Sequence, residues 1–297
     1  MKYYIGIDIG GTNLRAGIID ENCTLLDKFK ILNKVEKGPE HNIDKLLEEV
    51  KKRWVNKEII AIGVGCPGPL DIKTGTILVT PNLKNWEYFN LKKYLEQKLN
   101  VPVAVNNDAN VAGYSEAMVG AGKGVESVYY ITLSTGVGGG FVYKGEIVSG
   151  FNSIAGEIGN MIINEDKYKH ANMNYGGLEG QCSGVNISRI ASEVLGKQVT
   201  TKEVFHGAKE GITEYKNILA NWTINLSKAI ANIILTVDPE VIVLGGSVIS
   251  NNPSYIKDIE NEVKKRIYDG VKINIKLADI GDDTGLIGAG VLAKELK

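Results

Sequence analysis

An approximate internal repeat constrains this chain more than any other feature of its sequence. Residues 3–19 read YYIGIDIGGTNLRAGII and residues 129–145 read YYITLSTGVGGGFVYKG. Each is a β-rich run, a glycine-containing loop and a returning apolar run, the pattern of a hairpin whose turn needs backbone freedom. Aligned on their glycines, Asp8 stands opposite Ser134 and Gly10 opposite Gly136. A repeat of this kind implies two related α/β halves.

The segments between the hairpins agree with that reading. Ile43, Leu46, Leu47, Val50 and Trp54 recur at helical spacing over 43–54, IIAIGVG at 59–65 reads as a strand, LKKYLEQKL at 91–99 as a helix, and VPVAVNND at 101–108 as a strand with a polar end. The second half continues with helices near 185–195 and 214–236, a strand EVIVLGGSV ending in Gly245 and Gly246, and a closing helix TGLIGAGVLAKEL over 284–296 whose small residues allow close packing. In open α/β sheets ligand groups gather at the carboxyl ends of strands, where this reading places Asp8 and Asp108.

A length of 297 residues with 43% hydrophobic content suffices for two lobes with separate cores. The 34 basic and 35 acidic residues leave a net charge of -1 with no Lys/Arg run, which argues against a nucleic-acid partner. Cys23, Cys66 and Cys182 are too scattered for a disulfide framework or a paired metal motif, so a reducing cytoplasm is expected. Asp8 interrupts the first apolar run before it reaches the length of a signal-peptide core, and apolar runs such as 241–249 are too short to span a bilayer. The expectation is a cytoplasmic protein without a membrane partner.

DIGGTNLR at 8–15 sets an acid at a strand end, then Gly10, Gly11, Thr12, Asn13 and Arg15. Glycines let backbone N–H groups approach phosphate oxygens, Thr12 donates, Arg15 balances charge, and Asp8 can hold Mg²⁺ directly or through its waters. STGVGGG, comprising Ser134, Thr135, Gly136, Val137, Gly138, Gly139 and Gly140, is a second loop of the same kind. A plain glycine-rich turn would use the same residues. Neither loop has the Walker lysine, and a strand rather than a helix follows each, so P-loop and dinucleotide fingerprints are excluded. Gly245 and Gly246 suit either an approach to adenine or ribose or an ordinary αβ connection.

On the acceptor side, NNDANVA at 106–112 puts Asp108 and Asn107 at a strand end, suited to taking a hydroxyl proton and binding a ligand, or equally to an Asx turn or helix cap. GVGCPGPLD at 63–71 and PNLKNW at 81–86 can present Gly68 and Asn82 to a polyol, while AGEIGN at 155–160 and LEGQCSG at 178–184 supply Glu157 and Glu179.

Taken in order, DIGGTNLR, CPGPLD, PNLKNW, NNDANVA, STGVGGG, AGEIGN, LEGQCSG, LGGSV and LIGAGVLA resemble the motifs of the ROK family of bacterial sugar kinases, in the actin-like, ribonuclease H-like superfamily. The resemblance covers nearly the whole chain. It implies an α/β protein of two ribonuclease H-like (actin-like ATPase) lobes with a catalytic cleft between them. The small lobe would span residues 1–117, with the helix at about 285–297 packing back, and the large lobe 118–284. It implies ATP and Mg²⁺, with ATP at 8–15 and 134–140, Asp108 as catalytic base, and Gly68, Asn82, Asn107, Glu157 and Glu179 as sugar ligands. It also implies a homodimer built through the large lobe. Repressors of the family carry a helix-turn-helix ahead of the sugar lobe, whereas the first strand here is expected near residue 3.

One motif departs from the family. AGEIG is usually followed by His, which also contacts the sugar, and then by C-x-C-G-x-x-G-C, which together bind a structural zinc. Here Asn160 and the cysteine-free NMNYGGLEG at 172–180 stand instead. Four N or S ligands cannot be assembled from His170 and Cys182, so no zinc is expected. Asn160 would keep a shorter-reach sugar contact, and Tyr168, Tyr175 and the Met residues would order the loop by packing. The motif wording and variant loop are most similar to the N-acetylmannosamine kinases of sialic acid catabolism. Glucokinase is the alternative substrate class, and a non-kinase actin-like ATPase or sugar-sensing regulator is the alternative of another class.

Overall fold

The computed structural model describes residues 1–80 and 83–296. The chain runs β1 (Lys2–Ile9), β2 (Asn13–Ile19), β3 (Leu25–Leu32), α1 (Gly38–Arg53), β4 (Glu58–Cys66), β5 (Leu70–Asp71), β6 (Thr76–Ile77), α2 (Leu91–Leu99), β7 (Val103–Asn107) and α3 (Asp108–Met118). It continues through β8 (Ser127–Leu133), β9 (Val137–Tyr143), β10 (Glu146–Ile147), α4 (Leu178–Cys182), α5 (Gly184–Leu195), α6 (Thr201–Lys209) and α7 (Thr213–Val237). Last come β11 (Val241–Gly245), α8 (Ser247–Ser250), α9 (Tyr255–Lys264), β12 (Ile275–Leu277) and α10 (Thr284–Lys294). Residues 1–124, 140–155 and 280–297 form one compact unit, and 125–139 with 156–279 form a second.

The duplication is visible in the sheets. One has strand order β3-β2-β1-β4-β7 and the other β10-β9-β8-β11-β12, the same order twice. In the first sheet β2 is antiparallel to both β1 and β3, whereas β4 runs parallel to β1 and to β7. Parallel pairing of β11 with β8 and with β12 repeats the second half of that plan. The fold class is α/β. The hairpin loops, however, are residues 10–12 and 134–136, so Gly10 corresponds to Ser134 and not to Gly136. Aligning glycines displaced the register, because strand ends and not loop composition define the equivalence.

Local signals set the helix ends. Asn90 Oδ1 accepts from Lys93 N at 2.9 Å to start α2, which stops at Asn100 in the left-handed region (φ 52°). Thr200 and Glu203 form a capping box at α6. The strand expected over 101–108 ends at Asn107, because the Asn107 side chain caps α3 and Asp108 becomes its first residue.

In the first unit, apolar residues of β1, β2, β4 and β7 pack against Ile43, Leu46, Leu47 and Val50 of α1 and against Leu91 and Leu95 of α2. Glycines of β1 and β4 let the backbone of α10 touch the sheet: a Cβ on Gly6 would lie 2.0 Å from Leu286 O, and one on Gly63 only 1.8 Å from Ala289 O. The second unit is centred on α7, where Trp222, Phe205 and Tyr255 meet edge to face at ring distances of 5.4–5.8 Å. α7 is long and apolar enough to cross a membrane, which short apolar runs did not reveal, but 61% of its apolar stretch is buried in the protein.

Candidate functional site

The loop between β1 and β2 is held from below. Gly10 N donates to Asn13 O at 2.9 Å, Asn33 N donates to Thr12 O at 2.8 Å, and Asn33 Nδ2 donates to Gly10 O at 2.8 Å. Asn33, buried on β3's far side of the loop motif, was not singled out by sequence. Arg15 Nε donates to Asp8 Oδ2 at 2.8 Å, its Nη2 joins the same oxygen, and its Nη1 donates to Asp282 O at 2.8 Å. Both guanidinium contacts with Asp8 are thus made through Oδ2. A cavity of about 740 Å³ is lined by Asp8, Gly10, Gly11, Thr12, Asn13 and Arg15, together with Lys28 and Lys30 of β3 and Asp282 and Asp283 before α10. The sequence-predicted set is thus assembled in one place, with a second layer of charge from distant segments.

Strand pairing in the same unit aligns Asp8 with Gly65 and Cys66 with Asn107, so β1, β4 and β7 end side by side. Asn107 Oδ1 accepts from Ala109 N at 2.9 Å and Asn110 N at 3.4 Å. The cap reading is therefore realised at Asn107. Asp108 occupies the first turn of α3, where the helix dipole favours a carboxylate. Beneath it lies Cys66, fully buried, its thiol pushed well up by burial and further by the charges of Asp108 and Asp8. Gly68 precedes a cis peptide bond to Pro69 at the end of the β4 loop. Asn82 lies outside the described residues.

In the second unit, the loop segment 134–139 is joined to Glu179. Glu179 Oε2 accepts from Val137 N at 2.8 Å, and Gly136 makes room for it, since a Cβ there would be 2.7 Å from that oxygen. Gly184 N donates to Ser134 O at 2.7 Å. Beside this loop is a cavity of about 840 Å³ with Ser134 and Thr135 on one wall, Lys202, His206 and Lys209 of α6 on another, and Ser247 of α8 with Asn251 just after it on a third. Gly245 and Gly246 are not on its walls. A Cβ on Gly245 would strike the Tyr130 hydroxyl at 2.5 Å, and Gly246 (φ 85°) packs on the Leu133 backbone, so close packing against β8 accounts for both. The α6 residues were missed by sequence reading, although their spacing places all three on one helical face.

Glu157 leads into the short turn at Ile158–Asn160. Its carboxyl is pushed above the ordinary range by surrounding protein and, secondarily, by the charge of Glu179, even though the residue retains solvent contact. Asn160 is engaged with the loop: its Oδ1 accepts from Asn174 N at 2.6 Å, and its carbonyl accepts from Asn174 Nδ2 at 3.1 Å. Isolated bridges pair Ile162 with Gly177 and Lys169 with Tyr175. Arg189 stacks 3.5 Å above the Tyr168 ring. Hydrogen bonds and that stack order the loop, and Tyr175, 59% exposed, contributes little packing, contrary to the sequence expectation for it.

A sequence profile of the ROK family matches residues 4–296. A glucokinase from Halalkalibacterium halodurans is 32% identical, over 99% of this chain and 96% of that protein. The fold is similar to the ROK hexokinase of Thermus thermophilus, with a TM-score of 0.89 at 31% identity over 98% of this chain and 97% of that one. A Streptomyces griseus ROK glucokinase solved with glucose and AMPPNP has a TM-score of 0.81 at 27% identity, covering 99% of this chain and 100% of the other. A Listeria monocytogenes protein described as a candidate N-acetylmannosamine kinase has a TM-score of 0.81 at 26% identity, covering 97% of each chain.

Proposed function

Since this chain belongs to the ROK family, we propose that it is an ATP-dependent sugar kinase that phosphorylates the 6-hydroxyl of a hexose or N-acetylhexosamine. The observation that carries this reading is the Val137–Glu179 bond, which makes a phosphate-type glycine loop and a hydroxyl-accepting carboxylate one rigid piece. A nucleotide hydrolase has no use for the second half of that piece.

In this reading Asp108 orients the sugar hydroxyl and accepts its proton late, as a loose phosphoryl-transfer transition state requires. Its position at the start of α3 sets the carboxylate at the end of the helix where the dipole favours negative charge. Glu157 and Glu179 accept from sugar hydroxyls, and Gly68, Asn82, Asn107 and Asn160 complete the acceptor set, Asn160 through its Nδ2 because its Oδ1 is held by Asn174 N. Phosphate oxygens are assigned to the loops 8–15 and 134–140, and the cavity beside Ser134 takes the nucleoside, with Lys202 and Lys209 at its margin. Mg²⁺ suits the oxygen donors of the first loop, where Asp8 Oδ1 would hold it through water, and when bound it offsets phosphate charge. The lobes are taken as 1–117 with the last helix and 118–284, and the protein as a cytoplasmic homodimer.

N-acetylmannosamine is our first choice of acceptor, on the motif wording and the variant loop at 160–180. Glucose is favoured by the glucokinase relatives. A coupled ADP-release assay across N-acetylmannosamine, N-acetylglucosamine, glucose, mannose and fructose separates them. Preferential turnover of glucose overturns the first choice. ATP hydrolysis that no sugar stimulates indicates an actin-like ATPase instead, and sugar binding without phosphate transfer indicates a sensing regulator.

A further inference from the structure

Glu179 uses one carboxylate oxygen on the glycine loop, and its other oxygen meets a histidine. His170 Nε2 lies 3.3 Å from Glu179 Oε1, and both side chains are largely shielded, with 26% and 14% exposure. His170 comes from the loop that the zinc-type motif would occupy. We propose that His170 is a positioning residue for sugar binding, directing an Nε2–H at Glu179 so that this carboxylate is oriented from both sides before the sugar arrives. The proposal rests on the sugar-binding role assigned to Glu179.

The surroundings of the ring decide which nitrogen carries the proton. His170 Nδ1 is 3.3 Å from Asn186 Nδ2 and 3.3 Å from the Tyr168 hydroxyl. The Asn186 amide cannot be turned over without loss: its Oδ1 accepts from Arg189 Nε at 3.0 Å, while its Nδ2 donates to Glu179 O and Ser183 Oγ, each at 2.9 Å. Asn186 Nδ2, with both hydrogens engaged, thus offers no acceptor to a proton on Nδ1, and the Tyr168 hydroxyl is the group placed to donate to that nitrogen. With Tyr168 donating to Nδ1, the ring hydrogen stands on Nε2, the nitrogen turned toward Glu179.

The support extends outward from this pair. Arg189 covers the Tyr168 ring at 3.5 Å and donates through Nη2 to Gly180 O at 3.0 Å, which ties the histidine segment and the start of α4 to α5. Asn160, at the family's histidine position, is occupied with Asn174. The arrangement thus supplies a histidine to the acceptor side from ten residues further along the loop, by a route that needs no metal-bound loop.

Two measurements test this. Histidine ¹⁵N NMR of the free protein, assigned with a His170→Gln variant because the chain has only 3 histidines, is expected to show the Nε2–H tautomer at His170. In sugar titrations by calorimetry and in kinetics, His170→Ala is expected to weaken sugar binding by about 10- to 100-fold, the range for a hydrogen bond to a charged group, with ATP KM unchanged. His170→Gln, whose amide nitrogen can occupy the Nε2 position, is expected to recover most of that loss. An Nδ1–H tautomer, or wild-type sugar affinity in His170→Ala, overturns the proposal. If wild-type protein binds a sugar but transfers no phosphate, the kinase reading fails while the binding comparison still decides the role of His170.

Discussion

Gly136→Ala tests the coupling of the glycine loop to Glu179 most directly. The added methyl carbon would stand 2.7 Å from Glu179 Oε2 and 3.3 Å from its carboxyl carbon, where ordinary contact begins at 3.4 Å. The carboxylate must retreat by roughly 0.7 Å, which stretches its 2.8 Å bond from Val137 N to roughly 3.5 Å, beyond useful hydrogen-bond range. The colliding atom ends a flexible side chain, and Gly136 is not among the glycines with positive φ, so the fold should survive. Loss of an amide-to-carboxylate bond costs about 1.5–3 kcal/mol, which corresponds to a rise in sugar KM of about 10- to 100-fold. The assay is steady-state kinetics on Gly136→Ala, Glu179→Ala and the double variant. Because the damage travels through Glu179, Gly136→Ala should add little once that carboxylate is gone. A full, additive effect on sugar KM in the Glu179→Ala background would show that the methyl acts elsewhere and would refute the reasoning.

Three further outcomes are expected. Asp108→Asn should lower kcat by about 10²- to 10⁴-fold, the usual contribution of a general base, while ATP binding by calorimetry stays close to wild type; near-normal turnover would remove Asp108 from the role of base. Glu157→Gln should raise thermal stability at neutral pH. The folded protein holds the Glu157 carboxyl above its ordinary value, so wild-type stability from this group is full at low pH and is lost as pH rises through the raised value. The advantage of the Gln variant should therefore shrink as pH falls through that raised value and be gone by about 4.5, the ordinary value, and a constant advantage across pH would contradict the assignment. Glu116→Ala should destabilise the first unit by about 2–4 kcal/mol in denaturant unfolding, since Glu116 is fully buried and its two oxygens accept from Ala121 N at 2.9 Å and Ile280 N at 3.0 Å.

How far the sequence could be read depended on the range of the interactions involved. Strand–loop–strand repeats and helical spacings are local, and they located both hairpins, the long helix α7 and the first glycine loop, but not the pairing of Arg15 with Asp8. The register of the repeat went astray for a local reason as well, since glycines serve turns and close packing alike. Gly136 yields to Glu179, Gly6 to α10 and Gly246 to the β8 backbone, and nothing in the letters separates the three uses. Asn33, His170 and the α6 face were illegible because their meaning is non-local. Asn33 becomes a loop anchor only when β3 returns beside the first hairpin. His170 acquires its hydrogen-bond setting only from Tyr168 and Asn186, and the orientation of Asn186 in turn is set by Arg189. The same dependence explains why a missing family histidine at 160 says little by itself. What a carboxylate such as Glu179 requires is a donor at its second oxygen, and the chain position that supplies the donor is free to move so long as the loop carrying it is held to α5.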